Sequence, residues 1–181
     1  MIRSLSVAAV VLTAGFAVAA NVTSGPQVGD AVPGPFAPLN INGEGADQKV
    51  CQFCRCGDSP VAVVFARTAD CPMTQKLIKA IDKATAENKA AEMGSYVVFC
   101  SDEENLDKKL KEMVKTANIK ETVVCIDSPS GPGKYKIAKD ADLTVVLYTK
   151  RKVKVNYAFE KGKITDSDIA TIVADVSKIV K

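Results

Sequence analysis

Two kinds of apolar segment alternate along the chain. Val61–Ala66, Tyr96–Cys100 and Thr122–Ile126 are short apolar runs, rich in Val and bounded by polar residues. Such runs predict strands buried on both faces. Between them, apolar residues recur at helical spacing. Met73, Leu77, Ile78, Ile81 and Ala84 predict a helix over Met73–Asn88. Leu106, Leu110, Met113, Val114 and Ala117 predict a second, with Ser101 and Glu104 as its capping box. Leu143–Thr149 and Lys152–Phe159 predict a hairpin turning at Lys150-Arg151. Its second arm sets Val153, Val155, Tyr157 and Phe159 against Lys152, Lys154 and Asn156, as in an edge strand whose lysines discourage edge-to-edge association. Thr165 and Asp168 form a capping box for a last helix with Ile169, Ile172, Val173, Val176, Ile179 and Val180 on one stripe.

Less regular segments fill the rest. Asn21–Pro38 is rich in Gly and Pro and reads as an extended leader lying on the domain. Leu39–Asn42 and Gln48–Val50 flank Gly43-Glu44-Gly45 as a small hairpin. Ser128–Gly133 is a loop, with a short helix or turn near Lys134–Lys139. The order is β-α-β-α-β-(α)-β-β-α. Its βαβ opening implies parallel strands with right-handed crossovers, and its closing hairpin adds antiparallel ones. The expected fold is α/β, a mixed central sheet with helices on both faces. Chemistry on such a sheet sits at the carboxyl ends of the strands. Cys71 follows one such end, and Cys100 closes the neighbouring strand.

The first residues change where this domain is expected to work. Arg3, the uncharged and mostly apolar run Leu5–Ala20, and the small-residue pattern Ala17-Val18-Ala19 read as a secretory signal peptide over residues 1–20. The run is short for a membrane span, which needs ~20 apolar residues. The expected organisation is a signal peptide at 1–20, the leader at 21–38 and one domain at 39–181. The mature product is secreted or periplasmic and leaves the membrane on cleavage. Removing Arg3 leaves 23 Lys+Arg against 21 Asp+Glu. That near balance, with lysines scattered among acids, offers no basic stripe for nucleic acid.

The chain has no histidine. That excludes Ser-His-Asp and Cys-His catalysis and every His-based metal site. Chemical character rests instead on six cysteines: Cys51, Cys54, Cys56, Cys71, Cys100 and Cys125. A domain of this size buries a core unaided, so disulfides are optional and thiols are available for other work. Cys71, followed by Pro72, stands where a strand turns into a helix, a position that favours a thiolate. Cys100 is its nearest candidate partner. Cys51-Gln52-Phe53-Cys54-Arg55-Cys56 precedes the strand that Cys71 follows, and six strand residues span ~20 Å. This triad has three readings: a local disulfide, a redox relay, or a soft-metal site for Cu or Zn. Cys125, mid-strand, reads as a core residue. Asn21-Val22-Thr23 matches a glycosylation acceptor.

With Cys71 at the first strand-to-helix turn, this layout resembles the thioredoxin fold from about Val28 to the C-terminus. Within it, the likeness is to the peroxiredoxin and secreted thioredoxin-like branch. Val28-Gly29-Asp30-Ala31-Val32-Pro33 is similar to the entry motif V-G-D-x-A-P, and Thr68-Ala69-Asp70-Cys71 to the active-site turn T-x-x-C. The resemblance implies a three-layer fold, Cys71 as attacking thiol and Thr68 as its hydroxyl partner or that of a bound peroxide. The chain departs from the pattern at named places. Val64 replaces the motif's first proline, and Cys71-Pro72-Met73-Thr74 is a one-thiol form of C-x-x-C. Asp140-Ala141-Asp142-Leu143-Thr144 lacks the proline expected before the hairpin.

The leading expectation is therefore an exported, peroxiredoxin-like thiol oxidoreductase that needs no cofactor. Cys71 attacks a disulfide or a peroxide, a second cysteine resolves the intermediate, and the expected partners are a protein disulfide, a peroxide or a small thiol. The rivals are a Cu- or Zn-binding module on Cys51, Cys54 and Cys56, and a thioredoxin-fold interaction domain without catalysis.

Overall fold

The computed structural model describes residues 22–181. The expected signal peptide and Asn21 lie outside the described residues. Among the described residues six strands form one sheet: β1 (Leu39–Asn40), β2 (Val61–Ala66), β3 (Gly94–Cys100), β4 (Val123–Asp127), β5 (Leu143–Thr149) and β6 (Lys152–Phe159). Their spatial order is β1-β4-β3-β2-β5-β6. β2, β3 and β4 run parallel, and β1, β5 and β6 add antiparallel pairs. The central position of β2 explains its sequence. All six of its side chains are buried, so both of its faces must be apolar.

The two faces are covered differently. On the first lie α2 (Pro72–Glu87), α3 (Leu106–Ala117) and α4 (Asp166–Asp175). Leu77, Ile78 and Ile81 of α2, Leu106 and Leu110 of α3, and Ile169 and Ile172 of α4 pack with Ala62, Val64, Val97 and Val145 of the sheet. Each such Leu or Ile contributes about 1.5–3 kcal/mol by leaving water. Among the described residues the second face carries helix only in short pieces, α1 (Gln52–Cys56) and a 3-10 turn at Gly133–Tyr135. The segment around Val32 and Phe36 covers much of the rest, with Phe53, Tyr135 and Ile137 over Val63, Phe65, Val98 and Val146. Phe36 meets Tyr135 edge-on, with ring centroids 5.0 Å apart. The Tyr135 hydroxyl donates to the Gly34 carbonyl at 2.8 Å, which ties the two segments together.

The expected hairpin at Leu143–Phe159 and the Thr165/Asp168 capping box both form as read. Two local expectations change. The Ser101/Glu104 box does not form. Ser101 Oγ instead accepts the Glu103 N–H at 3.2 Å, and α3 starts after Asn105, which is left-handed at φ 58°. The small hairpin before α1 is reduced to a short bridge between Leu39 and Lys49, with the Asn40 N–H donating to the Gln48 carbonyl at 2.9 Å, while the other edge of Leu39–Asn40 pairs with β4. Among the described residues no helix is long and apolar enough to cross a membrane.

Candidate redox site

The carboxyl ends of β2 and β3 and the start of β5 meet at one end of the sheet, with Ala66 opposite both Phe99 and Leu143. From Ala66 the chain continues through Arg67 and Thr68 to Cys71, the N-cap of α2. Pro72 occupies the first helical position, where its fixed φ suits the helix and its missing N–H is not needed. Cys71 is half-buried. Its neutral thiol closes no capping hydrogen bond. The ionised sulfur is better served. Partial burial pushes the thiol up, but the N–H of Thr74, its hydroxyl and the N–H of Met73 outweigh that and the opposing charge of Asp142. The net result is a thiol held below its ordinary value, in the direction that favours a nucleophile.

Two residues that the sequence reading passed over shape this site. Thr74 stands where a C-x-x-C motif has its second sulfur. Its Oγ1 is buried and makes no hydrogen bond among the described residues, so it is available to the Cys71 sulfur. Asp142 immediately precedes β5, in the stretch where the thioredoxin pattern has a proline, and is 7% exposed. The T-x-x-C and C-x-x-T spacings around Cys71 held the only sequence signal for Thr74. For Asp142 the signal was a carboxylate at the mouth of a buried strand.

Thr68 and Arg67 face other partners. Thr68 Oγ1 donates to Asp142 Oδ1 at 2.8 Å. Arg67 donates from Nε to the Ala141 carbonyl at 2.9 Å, from Nη1 to Pro129 at 2.7 Å and from Nη2 to Ala138 at 2.8 Å. Its guanidinium thus clamps the loop between β4 and β5. Asp70, next to Cys71 in sequence, is paired with Lys109, which also reaches Glu103 at 2.7 Å. That pairing offsets the negative charge Asp70 would otherwise present to a thiolate.

The other cysteines are distributed over the second face. Cys100 carries a free thiol that packs with the second-face core, and a Cβ on Gly131 would lie 3.2 Å from its sulfur. Burial pushes this thiol up to about 12, although Arg67 works the other way. Cys71 instead caps a helix of the first face, so the two thiols belong to different layers. Cys125 is buried mid-strand, and its S–H donates to Asn40 Oδ1 at 3.3 Å. Burial raises it to about 12 as well.

Of the three readings of the triad, the structure holds the local disulfide. Cys51 and Cys54 are bonded, with Cα atoms 5.3 Å apart. Cys56 is a free, half-buried thiol. The bond uses two of the three thiolates a Cu or Zn ion would require, so the metal reading concerns only the reduced segment. The segment lies at the amino-terminal ends of β2 and β3: a Cβ on Gly94 would fall 2.8 Å from Cys56 Sγ. Cys71 lies beyond the opposite end of β2, a strand length of ~20 Å away.

Neither a protein-family model nor a curated protein sequence matches the chain. Solved structures do. A protein from Chlorobium tepidum assigned as the thiol:disulfide interchange protein DsbE superposes with a TM-score of 0.64 at 16% identity, covering 86% of this chain and 99% of that one. Peroxidoxin BcpB from Mycobacterium tuberculosis gives a TM-score of 0.61 at 15% identity, covering 84% and 97%. A secreted disulfide oxidoreductase from the same organism gives 0.55 at 13% identity, covering 77% and 94%. At these identities the likeness establishes the fold. The chain has the thioredoxin fold, in the mixed-sheet α/β form shared by interchange proteins and peroxiredoxins.

Proposed function

We propose that this protein is an exported thiol oxidoreductase in which Cys71 is the attacking sulfur. The observation that carries the reading is the cradle at the start of α2, where two backbone N–H groups and the otherwise unpartnered Thr74 hydroxyl favour the Cys71 thiolate. The thiolate attacks one sulfur of a substrate disulfide, giving a Cys71 mixed disulfide and releasing the other substrate sulfur as a thiol. Cys100 would have to leave the second-face core to resolve this intermediate, so we assign resolution to an external thiol. That thiol attacks the mixed disulfide, regenerates Cys71 and departs as a disulfide with the first substrate half.

Between a disulfide and a peroxide, the geometry favours the disulfide. The peroxide mechanism implied by the T-x-x-C resemblance uses the Thr68 hydroxyl, which is here donated to Asp142. Arg67, the arginine nearest to Cys71 in sequence, is committed to three carbonyls. Export rests on the signal-peptide pattern, and the likeness to a secreted disulfide oxidoreductase agrees with it.

The test is glutathione-coupled reduction of a small disulfide by the full mature chain and by Cys71→Ser. The expected result is turnover in the wild type and none above background in the variant, with hydrogen peroxide consumed slowly by both. Equal disulfide turnover in the two proteins would overturn the proposal.

A further inference from the structure

The Cys51–Cys54 bond is poorly placed to act as a staple. It joins residues within one helical turn, a turn that the Arg55 N–H already closes onto the Cys51 carbonyl at 3.1 Å. A loop this short removes little freedom from the unfolded chain, and it connects no distant elements. Its two sulfurs are also unequal. Cys54 is exposed, whereas Cys51 is half-buried against the second-face core and accepts the Cys54 N–H at 3.1 Å. That hydrogen bond stabilises negative charge on Cys51 and leaves Cys54 open to attack. Beside it, a groove of about 410 Å³ runs past Gln52, Arg55, Cys56 and Glu92. The Cys56 thiol faces this groove, and burial raises it, with Arg55 only partly offsetting that. It therefore stays protonated next to the disulfide and does not scramble it.

We propose that Cys51–Cys54 is a second exchange site, independent of Cys71, that oxidises dithiols. A substrate thiolate attacks Cys54 Sγ, the Cys51–Cys54 bond breaks, and Cys51 leaves as a thiolate held by the Cys54 N–H. The second thiol of the same substrate molecule then attacks the mixed disulfide. It forms the substrate's own disulfide and releases Cys54. The substrate loses two electrons and two protons, which end on the Cys51 and Cys54 thiols. A dithiol is the fitting class because Cys51, held one turn away, re-closes onto Cys54 unless the second substrate thiol is equally close.

The test uses full-length mature Cys71→Ser protein, so its outcome does not depend on the role of Cys71. Dithiothreitol is added in stoichiometric amount, the sample is quenched by alkylation, and the cysteine-containing peptides are mapped by mass spectrometry while circular dichroism reports the fold. The expected result is reduction of Cys51–Cys54 in the folded protein about tenfold faster than dithiothreitol reduces glutathione disulfide. Reduced glutathione at equal thiol concentration leaves the bond intact. The same outcome is expected with Cys56→Ser added. Reduction no faster than that of glutathione disulfide, reduction only in denaturant, or equal reduction by glutathione would each overturn the proposal.

Discussion

The hydroxyl of Thr68 donates to the carboxylate of Asp142 at 2.8 Å, across the gap between the end of β2 and the start of β5. The backbone locks the same junction, since Arg67 N–H donates to the Asp142 carbonyl at 3.0 Å. One hydrogen bond thus commits the Thr68 hydroxyl proton to Asp142 and fixes a buried negative charge near Cys71. That charge opposes the thiolate. Asp142→Asn keeps an acceptor for Thr68 and deletes the charge, so the Cys71 thiol should ionise at lower pH. Its alkylation by iodoacetamide at neutral pH should rise by about two- to fivefold, read from the Cys71 peptide.

Thr74 should act in the opposite direction. Thr74→Val conserves shape and removes a hydroxyl that has no other partner among the described residues. The thiolate loses one hydrogen bond, worth about 0.5–1.5 kcal/mol. The midpoint of the Cys71 alkylation profile should therefore move up, and the neutral rate should fall by up to about tenfold. Because the two variants shift the profile in opposite directions, a general loosening of the site cannot mimic both.

Most of this frame was legible before the structure. β2, the β5–β6 hairpin and the capping box of α4 follow from short-range rules of alternation, β-branching and Thr-x-x-Asp spacing, and they appear as read. The position of Cys71 at a helix start was legible for the same reason. The partners of Thr68, Arg67 and Asp142 were not, because they join residues about 60 to 75 positions apart, a separation at which spacing carries no signal. The Ser101 box failed for a local reason: Ser101 found the nearer Glu103 N–H, and Asn105 took the left-handed turn that opens α3. Cys100 was read by its place in the strand order, yet the face of its side chain was set by the strand's alternation, which puts it opposite the layer of α2.

Arg67 is expected to matter for the loop more than for the chemistry. Arg67→Met retains much of the side chain's bulk and leaves the carbonyls of Pro129, Ala138 and Ala141 without their shared donor. Hydrogen bonds to a charged group contribute about 1.5–3 kcal/mol. A loss of that size in urea unfolding is expected, with faster amide exchange concentrated between Pro129 and Asp142 and the Cys71 alkylation profile little changed.

The buried thiols predict an alkaline limit to stability. Cys100 and Cys125 are each raised to about 12 in the folded chain, whereas a free thiol ionises near ~8.5. Between those values the unfolded chain holds fewer protons, so folding stability is fully present below pH ~8.5 and falls as pH rises. Each thiol contributes a loss of up to about 1.4 kcal/mol per pH unit. Cys125→Ala should lower stability at neutral pH, because the Asn40 contact and some packing are lost. It should also make the alkaline decline shallower, which denaturant midpoints at several pH values above neutral would record.

The central claim is that Cys71 is the activated thiol of this chain. Its most direct test is site-resolved alkylation of the folded mature protein across pH, with each cysteine quantified from its own peptide. Cys71 should react first, with a midpoint below the ~8.5 of a free thiol, while Cys56, half-buried and raised by burial, reacts later and the buried Cys100 and Cys125 stay protected until the chain unfolds. A Cys71 midpoint at or above the free value, or earlier modification of Cys56, would contradict the account.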